Sequence, residues 1–355
     1  MKFASRLLLV SLLPLAWSGC ETEIDLNAPP RNIWAVYGVL NQGDSVQYVR
    51  ISRGFLPAGD AFDYAKETDL NARGLRVTLS GGGFTYEAEE IDSVLKNPAD
   101  GTFYPYVTLY KFRTENARQL KEGVRYDLSV TIPDSAGFFL RSHTTIPRRP
   151  RFQSPTEVPG PGQKRCLRQV NLEQEYRVEF TRDATAAAYE LRAILDYAVN
   201  GQPRRAVYGP TRLFSDDRRC NLTGTAAICY QFREYEILTG LYNQMQPVPG
   251  SSYTYDVDEF NQCKEVVENL PDAFRFEVTA ADTFLVNYQQ ANDPQFEDFS
   301  GVRPEYTNIA GSDSLLTAGI FGAYSTSFAR AQLGPCSRYL LNLNNTPQPS
   351  SPCAF

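Results

Sequence analysis

Residues 125–132 read RYDLSVTI, and apolar and polar side chains alternate along the stretch. A period of two places every second side chain on the same face of an extended chain, so this stretch predicts a β-strand with one buried face. Pro133-Asp134 follows directly, and such a pair is typical of a turn. A strand closed by a turn is the repeating unit of the N-terminal half of the chain.

The same unit recurs between residues 33 and 147. Five further runs alternate with a period of two: 34–40, 47–53, 75–80, 106–112 and 138–145. Turn residues separate several of them: Gln42-Gly43-Asp44, Gly81-Gly82-Gly83 and Asp100-Gly101. About seven short strands in roughly 115 residues are typical of an immunoglobulin or fibronectin-like β-sandwich. We therefore predict that fold class for residues 33–147.

A second domain is predicted after a linker. Residues 148–165 contain four prolines and no periodic pattern, which is typical of a domain boundary. Residues 166–355 again favour β-structure, with alternation at 176–181, 189–197 and 274–278. Residues 200–272 are predicted to be mostly loop, with a strand near 230–238. The segment 279–290 predicts a short helix, because Phe284, Leu285 and Tyr288 recur at helical spacing.

The cysteines after residue 165 predict disulfide-stapled loops in this second domain. Six cysteines lie there, and an even number in an exported chain is what disulfides require. The sequence permits many pairings, of which we favour the local ones: Cys220 with Cys229, Cys336 with Cys353, and Cys166 with Cys263. A zinc site is not expected, because the chain has no Cys-x-x-Cys and a single histidine.

The N-terminus predicts export and lipid anchoring. Residues 1–19 are read as a signal peptide with basic Lys2 and Arg6, a short apolar stretch, and small residues before Cys20. The string Ala-Trp-Ser-Gly-Cys at 16–20 resembles a lipobox, in which the cysteine thiol carries lipid. Several acyl chains on Cys20 would anchor the protein stably in a membrane. An ordinary secretory signal that ends near a cysteine is the alternative.

Residues 20–32 are predicted to be an acidic, polar tether. Glu21, Glu23 and Asp25 follow the lipid cysteine, as in the surface-export signals of Bacteroidota lipoproteins; a plain solvated spacer is the alternative. Removal of residues 1–19 leaves 336 residues with a formal net charge near −8. That acidic balance argues against a nucleic-acid partner, which would require a basic face.

The sequence holds no catalytic constellation that we recognise. The single histidine, His143, is predicted to be a structural, exposed residue on a strand, with a catalytic base as the alternative. The Gly81-Gly82-Gly83 run lacks the lysine of a phosphate loop. Acidic loop residues are expected to be solvated, with a calcium site as the alternative: Asp216, Asp217, Asp256, Asp258 and Glu259. We expect no cofactor.

Aromatic residues point instead to a binding surface. Tyrosine supplies rigid contact area with a polar tip and is favoured at protein interfaces. The stretch 284–306 is rich in such side chains. We predict a partner surface there that includes Tyr288, Phe296, Phe299 and Tyr306.

Several motifs, taken in order, resemble a Bacteroidota lipoprotein family known as domain of unknown function 4249. The motifs are VYGVL at 36–40, QYVRISRGFL at 47–56, GVRYDL at 123–128, TTIP at 144–147, YTNI at 306–309 and GIFGAY at 319–324. The C-terminus departs from the family pattern, because Cys336 and Cys353 are well separated and no tryptophan follows them. The resemblance implies location and fold, and an accessory role beside TonB-dependent outer-membrane transporters.

Three functions remain open at this point. The first is a non-enzymatic, surface-exposed outer-membrane lipoprotein that binds a TonB-dependent transporter. The second is an adhesin-like module that binds glycan or protein through loops of the second domain. The third is a cell-surface hydrolase, which would need a pair of carboxylates in a cleft.

Overall fold

The computed structural model describes residues 33–54, 69–95, 105–133, 137–156, 158–159, 164–214, 227–247, 251–254, 263–265, 274–293, 306–312, 315–343, 348–349 and 353. Within these ranges the protein is mainly β, as predicted, and the strands assemble into several sheets. In the part of the chain so described, no helix is long and apolar enough to cross a membrane.

The N-terminal segment folds into eight strands in the described ranges. They are β1 (Ile33–Asn41), β2 (Val46–Gly54), β3 (Arg76–Gly81), β4 (Phe84–Glu87), β5 (Glu89–Leu95), β6 (Tyr106–Arg113), β7 (Arg125–Thr131) and β8 (Phe139–Thr145). A short 3-10 helix at Asn116–Arg118 precedes β7. Every run that alternates in the sequence therefore forms a strand, because one face of each is buried.

The rest of the chain adds thirteen strands and three α-helices in the described ranges. The first are β9 (Phe152–Ser154), β10 (Val158–Pro159), β11 (Lys164–Cys166), β12 (Arg168–Val170), β13 (Tyr176–Thr181), β14 (Ala188–Val199), β15 (Gln202–Phe214) and β16 (Ala227–Phe232). After these come α1 (Glu236–Met245), β17 (Tyr253–Thr254), β18 (Cys263–Glu265), β19 (Phe274–Ala281), α2 (Thr283–Ala291), β20 (Ala310–Gly311), β21 (Leu316–Leu333) and α3 (Pro335–Leu340).

Three local predictions differ from the structure. The predicted strand 230–238 ends at Phe232, and α1 follows, because Ile237, Leu238 and Leu241 at helical spacing bury one face against β15 and its neighbours. The predicted helix 279–290 starts later, at Thr283, since the ladder with β21 holds β19 extended as far as Ala281. The predicted long loop of 200–272 also contains β15, a strand of thirteen residues.

One large sheet runs through both halves of the molecule. Its path is β15-β14-β19-β21-β1-β2-β6-β5, and β12 and β17 pair with β21 and β14 beside that path. The eighteen-residue β21 joins the halves. Its first half runs parallel to β1, from Leu316 opposite Ile33, and its second half pairs antiparallel with β19.

Smaller sheets cover one face of this large sheet. The five-stranded sheet β20-β8-β7-β3-β4 shares a core with β1, β2 and β6, which includes Trp34, Val49, Phe112, Leu79, Leu128 and Leu140. The sheet β16-β13-β9 and helices α1 and α3 pack on the other half, around Phe180, Tyr189, Phe232, Leu241, Phe276 and Leu340. A third small sheet consists of β10, β11 and β18. The opposite face of the large sheet is called the outer face below.

Late residues complete the first core. Ile309, Phe321 and Ala323 belong to it although they lie far along the chain. The Asn308 side chain joins the two layers, since its amide accepts from Phe321 N at 2.9 Å and donates to Phe321 O at 2.7 Å and to His143 O at 3.3 Å. The boundary between the two domains stays a prediction. Because β21 pairs with strands of both halves, it bears on whether the halves fold separately.

Candidate functional site

Helix α2 lies on the outer face, where β19 leaves β21. Asp282 begins the helix, because its carboxylate accepts a hydrogen bond from Leu285 N at 2.8 Å, as an N-cap does. The hydroxyl of Thr144 donates to the same carboxylate from β8. The backbone N–H of Asp282 continues the ladder to Ala323 O at 3.0 Å. The start of the helix is therefore fixed to both layers.

Small residues let this helix approach the sheet closely. A Cβ atom at Gly322 of β21 would lie 3.0 Å from the Cβ of Leu285, so a larger side chain would push the helix away. Val286 packs on Ala188 of β14 and Ala281 of β19. Glycine and alanine at these positions thus set the height of α2 above the strands.

An aromatic groove lies on one side of α2. It encloses about 280 Å³ and is lined by residues that include Ile33, Tyr37, Tyr288, Tyr306, Leu316 and Gly319. The rings of Tyr37 and Tyr288 meet edge to face, with centroids 6.4 Å apart. Tyr37 is 39% exposed and Leu316 is 41% exposed, so the groove offers apolar surface to a partner.

A polar cleft lies on the other side of α2. It encloses about 580 Å³ and is lined by residues that include Glu190, Arg192, Arg212, Glu277, Gln289 and Tyr324. These residues come from β14, β15, β19 and β21 of the outer face and from α2 itself. A volume of this size is in the usual range for a small-molecule site.

The charged groups of the polar cleft make contacts of 3.1 Å or longer. Arg192 lies 3.1 Å from Glu190 and 3.9 Å from Glu277. Arg212 lies 3.4 Å from Glu190 and also 3.4 Å from the Gln289 side chain. Two guanidinium and two carboxylate groups balance to zero net charge.

Tight ion pairs occur on the same face, outside the cleft. Asp196 accepts from Arg205 at 2.5 Å and from Arg275 at 2.6 Å. Burial raises the pKa of Asp196, but the hydrogen bonds from both arginines outweigh it and hold that pKa below its ordinary value. These three residues are typical of structural ion pairs. Their nitrogen–oxygen distances are shorter than those in the cleft.

Tyrosine hydroxyls in both places are protonated at neutral pH. Burial raises the pKa of Tyr324 in the cleft, and the charge of Asp44 adds to that effect. Burial also raises the pKa of Tyr288 in the groove, together with the neighbouring Tyr37. Both hydroxyl groups therefore act as hydrogen-bonding groups at neutral pH, not as anions.

The structure brings together two of the four predicted partner-surface residues. Tyr288 and Tyr306 line the same groove, whereas Phe296 and Phe299 lie outside the described residues. Cys20 also lies outside them. The predicted calcium ligands are outside as well: Asp216, Asp217, Asp256, Asp258 and Glu259. Among the described residues there is no cluster of three or more potential metal ligands.

One of the three predicted cysteine pairs is confirmed. Cys336 and Cys353 form a disulfide. The backbone register of β11 and β18 places Cys166 opposite Cys263, and their pairing stays a prediction. Cys229 is disulfide-bonded, and Cys220 lies outside the described residues.

His143 is half-buried, not exposed. Its ring meets Phe284 of α2 edge to face, with centroids 5.1 Å apart. The side chain thus helps to hold the first turn of α2 against β8. Its role is structural, as predicted, but it packs against a helix where an exposed position was expected.

Sequence reasoning missed most of the residues that line the two sites. Tyr37, Arg192 and Arg212 stand on separate strands, and only the sheet order brings each of them beside α2. One signal was available: Tyr37 alternates with core residues and is a large aromatic on the solvent side of its strand.

Searches of protein-family models and of curated proteins return no match to the chain.

Proposed function

We propose that the protein is a non-enzymatic lipoprotein of the outer membrane, anchored through Cys20 at the cell surface, that binds an integral TonB-dependent transporter through the aromatic groove. The observation that carries the proposal is the meeting of Tyr288 and Tyr306 with exposed Tyr37 and Leu316 in one groove. Aromatic and aliphatic anchors in a concave surface are typical of protein interfaces.

The position of the groove also supports a partner in the same membrane. Ile33, the first residue of β1, lines the groove and lies thirteen positions after Cys20 in the sequence. A chain of that length spans at most roughly 45 Å when extended. A lipid on Cys20 would therefore keep the groove within reach of proteins embedded in the bilayer.

Two finer assignments belong to this proposal. We infer that the first sandwich is immunoglobulin-like, with β20 and β21 added to the strands of residues 33–147. We also place the chain beside the domain of unknown function 4249 lipoproteins, on the motifs quoted above. The YTNI and GIFGAY motifs include Asn308 and Phe321, whose hydrogen bonds join the two layers. Gly319 and Gly322 also lie in them.

The test is co-purification of the tagged full-length protein from its own membranes in mild detergent. We expect a stoichiometric outer-membrane transporter with the wild type, and its loss in a double variant Tyr37→Ser, Leu316→Asp. The matched control is Tyr48→Ser, Leu95→Asp, because Tyr48 (47% exposed) and Leu95 (66% exposed) lie on β2 and β5 of the same sheet, outside the groove. A protein that elutes alone, or a groove variant that keeps its partner, contradicts the proposal.

A further inference from the structure

The polar cleft has the features of a ligand site that the groove lacks. It holds two guanidinium groups, two carboxylates and the hydroxyl groups of Thr279, Thr326 and Tyr324 within one concave surface. Ala188 and Ala281 give it small apolar patches. A concave surface that combines converging polar groups with apolar patches is typical of sites for small molecules.

Arg212 is held in the cleft by long contacts. An arginine has five N–H donors, and the contacts of Arg212 to Glu190 and Gln289 are both 3.4 Å long. Charge-assisted hydrogen bonds between guanidinium and carboxylate are normally about 2.8 Å long. A ligand carboxylate that reaches Arg212 at that distance would gain more than it displaces.

The carboxylates offer the complementary half of a site. Glu277 lies 3.9 Å from Arg192, beyond hydrogen-bond distance, and its side chain is 23% exposed. It can therefore accept from an ammonium group without giving up a short hydrogen bond. Because the cleft is neutral overall, it favours a ligand that carries both charges over a simple anion or cation.

From this geometry we propose that the polar cleft binds small zwitterions with a carboxylate and an ammonium group, such as short peptides with free termini. Arg212 and Arg192 bind the carboxylate, and Glu277 binds the ammonium group. A glycan fits less well, since Tyr324 is the one aromatic ring among the described lining residues.

The proposal is independent of the transporter partner, so it is tested on the purified protein. Detergent-solubilised full-length protein is dialysed to equilibrium against an equimolar mixture of tripeptides with free termini, and retained peptides are quantified by mass spectrometry. The same mixture with acetylated and amidated termini is run beside it. We expect retention of a subset of the free peptides and at least tenfold less of their capped forms.

Variants separate a site in the cleft from general charge effects. Arg212→Gln and Glu277→Gln are each expected to reduce retention at least tenfold, because each removes one charge that contacts the zwitterion. Arg205→Gln is the matched control, since Arg205 lies on the same strand as Arg212 and pairs with Asp196 outside the cleft. Thermal melting establishes that each variant is folded, and Arg212→Lys should restore part of the binding.

Three results would overturn the proposal. They are no retention of any free peptide, equal retention of free and capped peptides, and retention unchanged in both cleft variants. Since none of these readouts involves the transporter, failure here leaves the groove proposal standing, and loss of the transporter leaves this one standing.

Discussion

Gly319 occupies a position where a side chain does not fit. Its φ is +94°, and a Cβ atom there would lie 2.1 Å from the carbonyl oxygen of Val36 on β1. Both the left-handed backbone and the close approach require glycine. The residue also lines the aromatic groove, so the geometry of that groove depends on it.

We predict that Gly319→Ala lowers the free energy of unfolding by about 3 kcal/mol, because it combines backbone strain with a clash between strands. Denaturant unfolding of the purified protein measures this. Gly54→Ala is the control, since a Cβ atom at Gly54 would meet Ile33 at an ordinary 3.7 Å. A Gly319 variant as stable as the Gly54 variant would show that the two strands adjust freely.

The pKa of Asp282 is raised, which is unusual for a carboxylate that caps a helix. Burial raises the pKa of this carboxyl above its ordinary 3.8, although the hydrogen bonds from Thr144, Leu285 and Ala323 favour the ionised form. The folded state then holds the proton more tightly than the unfolded state. Protonated Asp282 therefore stabilises the folded state at low pH. This contribution is lost as the pH rises through the pKa that Asp282 has in the folded protein.

Asp282→Asn should therefore be compared with the wild type from pH 3 to pH 8. We predict that the stability advantage of the wild type is largest in acid and narrows toward neutral pH, as judged by urea unfolding. Asp127→Asn, an exposed carboxylate on β7, should differ from the wild type by less than about 0.5 kcal/mol. An advantage that widens with pH would mean that the pKa of Asp282 is lowered instead.

At the scale of elements, the C-terminal segment is held by a covalent link. The disulfide between Cys336 of α3 and Cys353 closes a separation of 17 residues. In the entropic account of disulfides, closing a loop of that length raises the free energy of the unfolded chain by about 3 kcal/mol. Cys353 also packs against the core around Phe180, Phe276 and Leu340.

We predict that replacing both Cys336 and Cys353 by serine lowers the free energy of unfolding by about 3 kcal/mol under oxidising conditions. The difference from the wild type should disappear when both proteins are fully reduced, because the wild type then lacks the same link. A difference that persists under reduction would place the effect in the serine side chains.

Elements with a local pattern could be predicted from the sequence, and elements with a tertiary cause could not. Strands β7 and β13 follow their alternation closely, because one face of each is buried and the other is not. Strand β21 has consecutive buried residues from Gly319 to Ala323, since α2 covers its outer face, and this removes the period of two. Helix α1 was missed because Gly240 interrupts a short amphipathic pattern.

At the scale of the whole molecule, one sheet carries both halves and both candidate sites. Helix α2 separates the sites, with Leu285 and Gln289 on the cleft side and Tyr288 on the groove side. The residues come from β1, β14, β15, β19, β21 and α2, and from the segment before β20 that holds Tyr306. Such a set depends on strand order, which no local sequence pattern specifies, and this is why the cleft was not predicted.

The shared sheet makes a prediction about fragments. Residues 20–165 lack Ile309, Phe321 and Ala323 of the first core and the strand that pairs with β1. We predict that this fragment does not fold alone and shows no cooperative thermal unfolding, whereas residues 20–355 fold and unfold cooperatively. A fragment with a dispersed amide spectrum and a cooperative transition would support two separate domains.

Site-specific photo-crosslinking in the native membrane tests the central claim, that the aromatic groove binds an outer-membrane transporter, most directly. A photoreactive phenylalanine analogue is placed at position 37 in the groove or, as the control, at position 48 on the neighbouring strand. The account predicts one crosslinked transporter from position 37 and none from position 48. No crosslink from position 37, or the same products from both positions, would contradict it.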